Sequence, residues 1–376
     1  MSESRSRVFL LLDLAAITQT HVSCRKRLPK VRLIYSTKHN ASVKLLAVLG
    51  RLGMDLRVGT KFDMETCREH CNDIRLWDDP SCTGKTNSYY RRLVLDVPMS
   101  VASSTPLIVD GHDEVLRLVS AIRRMSQRRL QELPVLYFVL KVDSVSDEWK
   151  DALSKTHAAT SSTCHKLVGI SLDLLERKTT LSDSLAFLSG VLDYCHDKLG
   201  MINPELHLTA PESIDPILVD WLSENSEFLN LCTLDISHIL VKDAGAICAR
   251  IIGVKQNLAN KVHYYIDDGC YGSLSNHSKN TVPIPLKAKP DDEDALLNSS
   301  HDVEATVWGP TCDGIDKVCV GKLPKLCRDD WLVFGNTGFC DVGTTFNGFG
   351  PPDVVYCALG GVLYPSASSG RNGLSS

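Results

Sequence analysis

Lys38 holds the position in this chain that most invites chemistry. It stands in Tyr35-Ser36-Thr37-Lys38-His39-Asn40, where a strand-like run gives way to a turn. Barrels of parallel strands carry their reactive groups at such strand ends, although spacing alone gives no more than a surface lysine. Gly84-Lys85-Thr86 has the ending of a phosphate-binding loop. Asp79 stands where the upstream glycine is required, and Pro80 and Cys82 fill the loop, so the phosphate cradle cannot form. Cys67 and Cys71 lie one helical turn apart around His70, with no second pair at matching distance to complete a zinc site. Tyr89, Tyr90, Arg91 and Arg92 make a basic, aromatic group that reads first as a solvated helix face.

These residues need elements to position them, and the chain of 376 residues is long enough for one large unit and a smaller one. From about residue 30 to 250, short apolar runs alternate with segments of helical period. Leu33-Ile34-Tyr35 leads to a helix capped by Asn40 with Val43, Leu46 and Leu49 on one face; Met54 to Val58 leads to a helix over 63–72. Pro106 to Val109 precedes the stripe Val115, Leu118, Ile122, Met125, which Pro134 closes. Val135 to Val142 and Leu167 to Leu172 are nearly continuous apolar runs, as in strands buried on both faces. Leu206-His207-Leu208 and Phe228 to Leu234, each with a helix behind it (after Pro211 and around 243–250), add two more units. Seven or eight such units without a glycine-rich turn predict a (β/α)8 barrel rather than a dinucleotide-binding sheet.

After residue 260 the texture changes to short β-like runs (Val262 to Ile266, Ala305 to Trp308, Trp331 to Phe334, Val354 to Leu359) between Gly, Pro and Asp clusters. The division that follows is an N-terminal strand segment over 1–30 packing with a β domain, a barrel over 31–255, an all-β C-terminal domain over 256–362 and a disordered tail over 363–376. Val8 to Leu12 is expected to be a buried strand rather than a secretory leader, because Asp13 interrupts the apolar run.

Composition narrows the function classes. Hydrophobic residues at 43% and charged residues at 23% describe an ordinary folded domain. Forty-one Lys and Arg against forty-five Asp and Glu leave a net charge of -4, which lacks the basic field that nucleic-acid binding needs. No apolar run approaches the ~20 residues of a membrane span. The fourteen cysteines are scattered, often inside apolar segments, which points to a reduced, cytoplasmic setting.

The segment Trp308-Gly309-Pro310-Thr311-Cys312-Asp313-Gly314-Ile315-Asp316 changes the weight of the reading. It resembles the signature of eukaryotic ornithine decarboxylases, pyridoxal-phosphate enzymes of the alanine-racemase-like barrel group. Further pieces agree in order: Arg27-Leu28-Pro29-Lys30-Val31 with Ile34 to Asn40, Tyr264 to Ser273, Asp330-Trp331, and Thr345-Phe346-Asn347-Gly348-Phe349. The resemblance runs from Val8 to about Leu359 and is patchy between 60 and 250. It implies a barrel with a second, all-β domain and pyridoxal 5'-phosphate as the family's cofactor. It also implies roles: Lys38 as the imine-forming amine, Asp55 as the acid near it, and Cys312 and Asp313 as the protonating thiol and substrate-binding acid delivered from a partner subunit.

The departures concentrate where the family holds its cofactor. The histidine that stacks on the ring falls on Asp173 after Gly169-Ile170-Ser171-Leu172, and the triple-glycine phosphate turn falls on Thr209-Ala210-Pro211. The family's glutamate for the pyridinium nitrogen and arginine for the phosphate fall on Asp235 and His238. The phosphate-binding tyrosine falls on Cys340 and the second substrate acid near Ser278. Charge-assisted hydrogen bonds contribute roughly 1.5–3 kcal/mol each, so losing two or three weakens affinity by about a thousand- to ten-thousand-fold.

The resemblance therefore implies an ornithine decarboxylase homologue in polyamine metabolism with impaired catalysis. One form is a regulator like the antizyme inhibitors, which sequester antizyme through a basic surface of the barrel. Here that region lies between Ser81 and Arg129 and carries Lys85, Arg91, Arg92, Arg123, Arg124, Arg128 and Arg129. Another is an inactive subunit that completes a heterodimer with an active ornithine decarboxylase through Cys312 and Asp313. The alternative is an active decarboxylase making putrescine as a homodimer.

Overall fold

The computed structural model describes residues 7–58, 61–71, 76–78, 107–109, 111–123, 137–142, 148–161, 166–175, 179–257, 261–275, 281–288, 302–338 and 352–360. The chain divides into two compact units, one of residues 21–239 and one that joins residues 1–20 to 240–376.

The chain opens with β1 (Phe9–Asp13) and α1 (Leu14–Arg27), the strand expected and the helix not. Asp13, fully buried, begins the helix by accepting from the backbone N–H groups of Ala15 and Ala16 at 3.0 and 3.2 Å.

Residues 21–239 build the barrel unit. Its strands are β2 (Arg32–Ser36), β3 (Asp55–Val58), β4 (Leu76–Asp78), β5 (Leu107–Val109), β6 (Tyr137–Lys141), β7 (Lys166–Asp173), β8 (Glu205–Thr209) and β9 (Leu231–Asp235). Every ladder among them is parallel, and the order is β4-β3-β2-β9-β8-β7-β6-β5. Pairing of the first strand of the series with the last is the cyclic order of a (β/α)8 barrel. The helices between them are α2 (Val43–Arg51), α3 (Lys61–His70), α4 (His112–Arg123), α5 (Trp149–Ser161), α6 (Leu181–Leu199) and α7 (Pro216–Asn225).

Local chemistry sets the ends of these helices. The Thr180 hydroxyl accepts from the Asp183 N–H at 3.1 Å to start α6, and Gly200 closes it at φ 64, a conformation that favours glycine. Asp215 accepts from the Ile217 N–H at 2.8 Å, with Pro216 in the first turn of α7. For α2 the cap position belongs to Ser42 rather than Asn40; the Asn40 side chain instead accepts from the Ser42 N–H at 3.0 Å and turns the chain into the helix.

Alternation along the strands separates two faces. Leu33, Tyr35, Leu56, Leu206, Leu208 and Leu234 form an apolar, buried set, while the set in register with Ile34 contains Asp55, Asp235, Thr209 and Asp173. Strand geometry thus gathers the polar side chains on one side of the sheet.

The second unit contains α8 (Ser237–Val241) in part and β10 (Gly245–Gln256), β11 (Val262–Ile266), β12 (Ile284–Leu286), β13 (Val303–Trp308), β14 (Lys317–Leu323), β15 (Trp331–Gly335) and β16 (Asp353–Cys357). Their order is β12-β15-β10-β11-β13-β14, with β1 between β10 and β16. The core includes Leu10, Ile247, Tyr264, Val307, Leu332 and Phe334. Two expectations are corrected here: the segment around 243–250 is strand, not helix, and residues 240–255 belong with this unit instead of the barrel. The apolar run Ala246 to Ala249 is bonded to strands on both sides and buried on both faces, which erases the two-residue alternation that identifies a strand in sequence.

Pro134, Lys85, Arg91, Arg92, Arg124, Arg128, Arg129, the Gly84-Lys85-Thr86 segment, Ser278, Cys340 and the tail beyond 360 lie outside the described residues. Among the described residues no helix is long and apolar enough to cross a membrane.

Candidate functional site

The polar face of the barrel strands carries a buried ion pair that the sequence reading did not identify. Arg57 Nη1 lies 3.0 Å from Asp235 Oδ2, and the two side chains are 8% and 3% exposed. Arg57 is on β3 and Asp235 on β9, with β2 between them, so the guanidinium spans roughly 10 Å of sheet to reach the carboxylate. The other oxygen, Oδ1, accepts from the Ser237 backbone N–H at 3.0 Å and from the Ser237 hydroxyl. Ser237 Oγ in turn accepts from the Ser36 N–H at 2.6 Å, which ties the end of β2 to the turn after β9. Both oxygens of Asp235 are thereby engaged, one by a cation and one by neutral donors.

The signal for Arg57 was present in Asp55-Leu56-Arg57-Val58: two charged residues at i and i+2 in a short strand share one face. Asp55 begins β3 level with Ile34 and pairs with Arg32 at 3.2 Å. Arg57 is level with Ser36, the last residue of β2, so it is nearer than Asp55 to the strand end that leads into the Lys38 turn.

Lys38 itself is exposed, in the turn after β2. That turn is well bonded: Thr37 N–H donates to the Arg57 carbonyl at 2.9 Å, the Thr37 hydroxyl to Asp63 at 3.1 Å, and the Tyr35 hydroxyl to the Asn40 carbonyl at 2.9 Å. The ring of His39, next to Lys38, meets the ring of His238 edge to face with centroids 6.4 Å apart. Asp235 and His238 are therefore brought to the end of β9 beside the Lys38 turn.

Two further expected positions are visible. Asp173 ends β7 level with Thr209, and its Oδ1 accepts from the Leu175 N–H at 2.9 Å. In Thr209-Ala210-Pro211 the Ala210 N–H donates to the Asp235 carbonyl at 2.8 Å and Pro211 has no N–H, so this turn offers little to an anion.

Cys312 and Asp313 belong to the other unit, in the turn between β13 and β14, and both are exposed. Asp316, fully buried, organises this turn: its carboxylate accepts from the N–H groups of Cys270 and Thr311 at 2.8 and 3.0 Å and from the Thr311 hydroxyl at 2.7 Å. A Cβ at Gly309 would fall 2.2 Å from that carboxylate, which explains the glycine. Asp313 accepts from the Ile315 N–H at 2.9 Å and from the Tyr271 hydroxyl, bonds that hold its carboxyl below the usual carboxylate range. The Cys67 and Cys71 thiols are buried, and burial pushes Cys67 up to about 12.

A family model described as pyridoxal-dependent decarboxylase, C-terminal sheet domain, matches residues 34–338. Antizyme inhibitor 2 of Xenopus laevis is 23% identical over 407 residues, covering 95% of this chain and 82% of the relative. A probable ornithine decarboxylase of Dictyostelium discoideum is 23% identical over 392 residues, covering 93% and 79%. Among solved structures, the Paramecium bursaria Chlorella virus arginine decarboxylase bound to agmatine shares the fold at a TM-score of 0.72, with 16% identity over 94% of this chain and 98% of that one.

Proposed function

This chain belongs to the pyridoxal-dependent decarboxylases, the family of ornithine decarboxylases and antizyme inhibitors, and from that premise we propose that it is a non-catalytic regulator in polyamine metabolism, of the antizyme-inhibitor kind. The observation that carries the reading is the Arg57–Asp235 pair. In the family an acid at this place meets the protonated ring nitrogen of pyridoxal phosphate. Here a guanidinium already neutralises it, and displacing Arg57 would leave a buried charge unpaired at a cost of about 3–5 kcal/mol. The turn at Ala210 and Pro211 and the carboxylate of Asp173 add to the misfit toward a phosphorylated, anionic cofactor. When bound in active relatives, that cofactor supplies the electron sink for decarboxylation; this chain's residues fit it poorly.

Partner binding without turnover is then the function left to the fold. The test uses an active ornithine decarboxylase held inhibited by antizyme. Adding this chain should restore carbon dioxide release from labelled ornithine, while the chain alone with pyridoxal phosphate should release none. Release by the chain alone would support an active decarboxylase in its place, with Lys38 as the amine.

A second form of the regulator is favoured by the Cys312 turn. The Asp316 bonds keep that turn built, and the Ile315 N–H and the Tyr271 hydroxyl hold the Asp313 carboxyl low, although the barrel site has changed. An inactive subunit lending Cys312 and Asp313 to an active homologue would preserve this half alone. Mixing the two chains should then raise activity per active subunit, and Cys312→Ala should abolish the gain.

A further inference from the structure

We propose that His263 is an acid-released clasp on Trp308 and, through it, on the turn that carries Cys312 and Asp313. Trp308 Nε1 donates to His263 Nδ1 at 3.0 Å. An indole N–H is a donor only, so Nδ1 must offer a lone pair, and the imidazole that holds Trp308 is the neutral form with its proton on Nε2. A second proton turns Nδ1 into a donor. Two N–H groups then face each other, and rotating the ring presents another N–H or a C–H, so no orientation of the imidazolium restores the bond. Imidazoles take up that proton between about pH 5 and 8.

The surroundings drive the ring away once it is charged. Register sets Lys255 of β10 and Thr306 of β13 level with His263 on β11. The other titratable groups on this face of the sheet are Lys261 and Tyr265 beside His263, Asp302 and Glu304 toward the start of β13, and Lys317 and Lys322 on β14. Glu304 is paired with Lys261 at 3.1 Å and is level with Lys322, so an imidazolium meets the Lys255 ammonium across one strand spacing while the nearer carboxylate is engaged. Trp308 in turn governs the turn over 309–316. With Lys317 it forms the last level pair before that turn, where the register shifts after Val307, and Lys317 Nζ lies 5.2 Å from its ring centroid. Gly309, next in the chain, donates its N–H to the Asp316 carbonyl at 2.8 Å. A held indole thus fixes both posts of the turn, and a released one loosens the presentation of Cys312 and Asp313. All of these residues lie in one unit, so the clasp operates whether or not a partner subunit uses the turn.

Heteronuclear NMR of the full chain from about pH 8 to about pH 5 tests the clasp. Trp308→Phe identifies the indole resonance. That resonance and the amide resonances of Cys312 and Asp313 are expected to shift together, with the inflection of the His263 ring protons. In His263→Gln, whose carbonyl accepts at every pH, the shared inflection should vanish and the resonances stay near their positions at high pH. His263→Phe, which accepts at none, should hold the indole resonance near its acid position throughout. Asp268, whose carboxyl burial pushes up, titrates alike in the natural chain and in His263→Gln, so the comparison removes its contribution. A His263 ring that does not titrate in this range overturns the proposal, as does an indole resonance that stays put while the ring titrates. An inflection that survives in His263→Gln, or an indole shift that leaves Cys312 and Asp313 unmoved, overturns it equally. None of these outcomes bears on the barrel reading.

Discussion

Arg57 and Asp235 meet at 3.0 Å although their strands are not neighbours, and the guanidinium crosses β2 to reach the carboxylate. A buried pair of this kind is held less by net attraction than by the penalty for breaking it.

A double-mutant cycle reads that penalty. Arg57→Met should destabilise the chain by about 3–5 kcal/mol in urea unfolding, because Asp235 is left charged and buried. Adding Asp235→Asn should recover part of the loss, since the amide keeps an acceptor for Ser237 without the charge. Additive losses would mean that the two side chains do not depend on each other.

Asp313 gives a pH prediction with a defined sign. Its carboxyl is held low by the Ile315 N–H first and the Tyr271 hydroxyl second. A depressed carboxyl stabilises the folded state above its unfolded value, about 3.9, and that contribution fades as pH falls through the folded value. Tyr271→Phe removes one of the two bonds, so the Asp313 titration followed by carboxyl NMR should move up toward 3.9.

Thiol reactivity should divide the cysteines. Cys195, Cys232, Cys248 and Cys319 are buried and pushed up to about 12, whereas Cys312 and Cys327 are exposed. Brief iodoacetamide treatment at neutral pH, read by peptide mass spectrometry, should modify Cys312 and Cys327 and spare the buried four until denaturant is added. Prompt labelling of Cys232 would contradict the packing of β9.

The barrel was legible because its strands are apolar runs followed by helices with a clear stripe; Leu33-Ile34-Tyr35 and Leu206-His207-Leu208 became β2 and β8. Strand β10 was not, since a strand covered on both faces presents the same unbroken apolar run as a buried helix. The site was half legible. The resemblance singled out Asp235 and His238, and the structure places both beside the Lys38 turn, but the partner of Asp235 is Arg57, 178 residues away. Register between non-adjacent strands is a property of the assembled sheet, and no local pattern encodes it.

The account rests most directly on the affinity of the barrel for pyridoxal phosphate. Titrating the purified chain with the cofactor, and recording the visible absorbance of an imine against Lys38→Ala, tests it in one measurement. The prediction is that no saturable band forms at stoichiometric cofactor and that the two spectra coincide. A stoichiometric band present in the natural chain and lost in Lys38→Ala would contradict it.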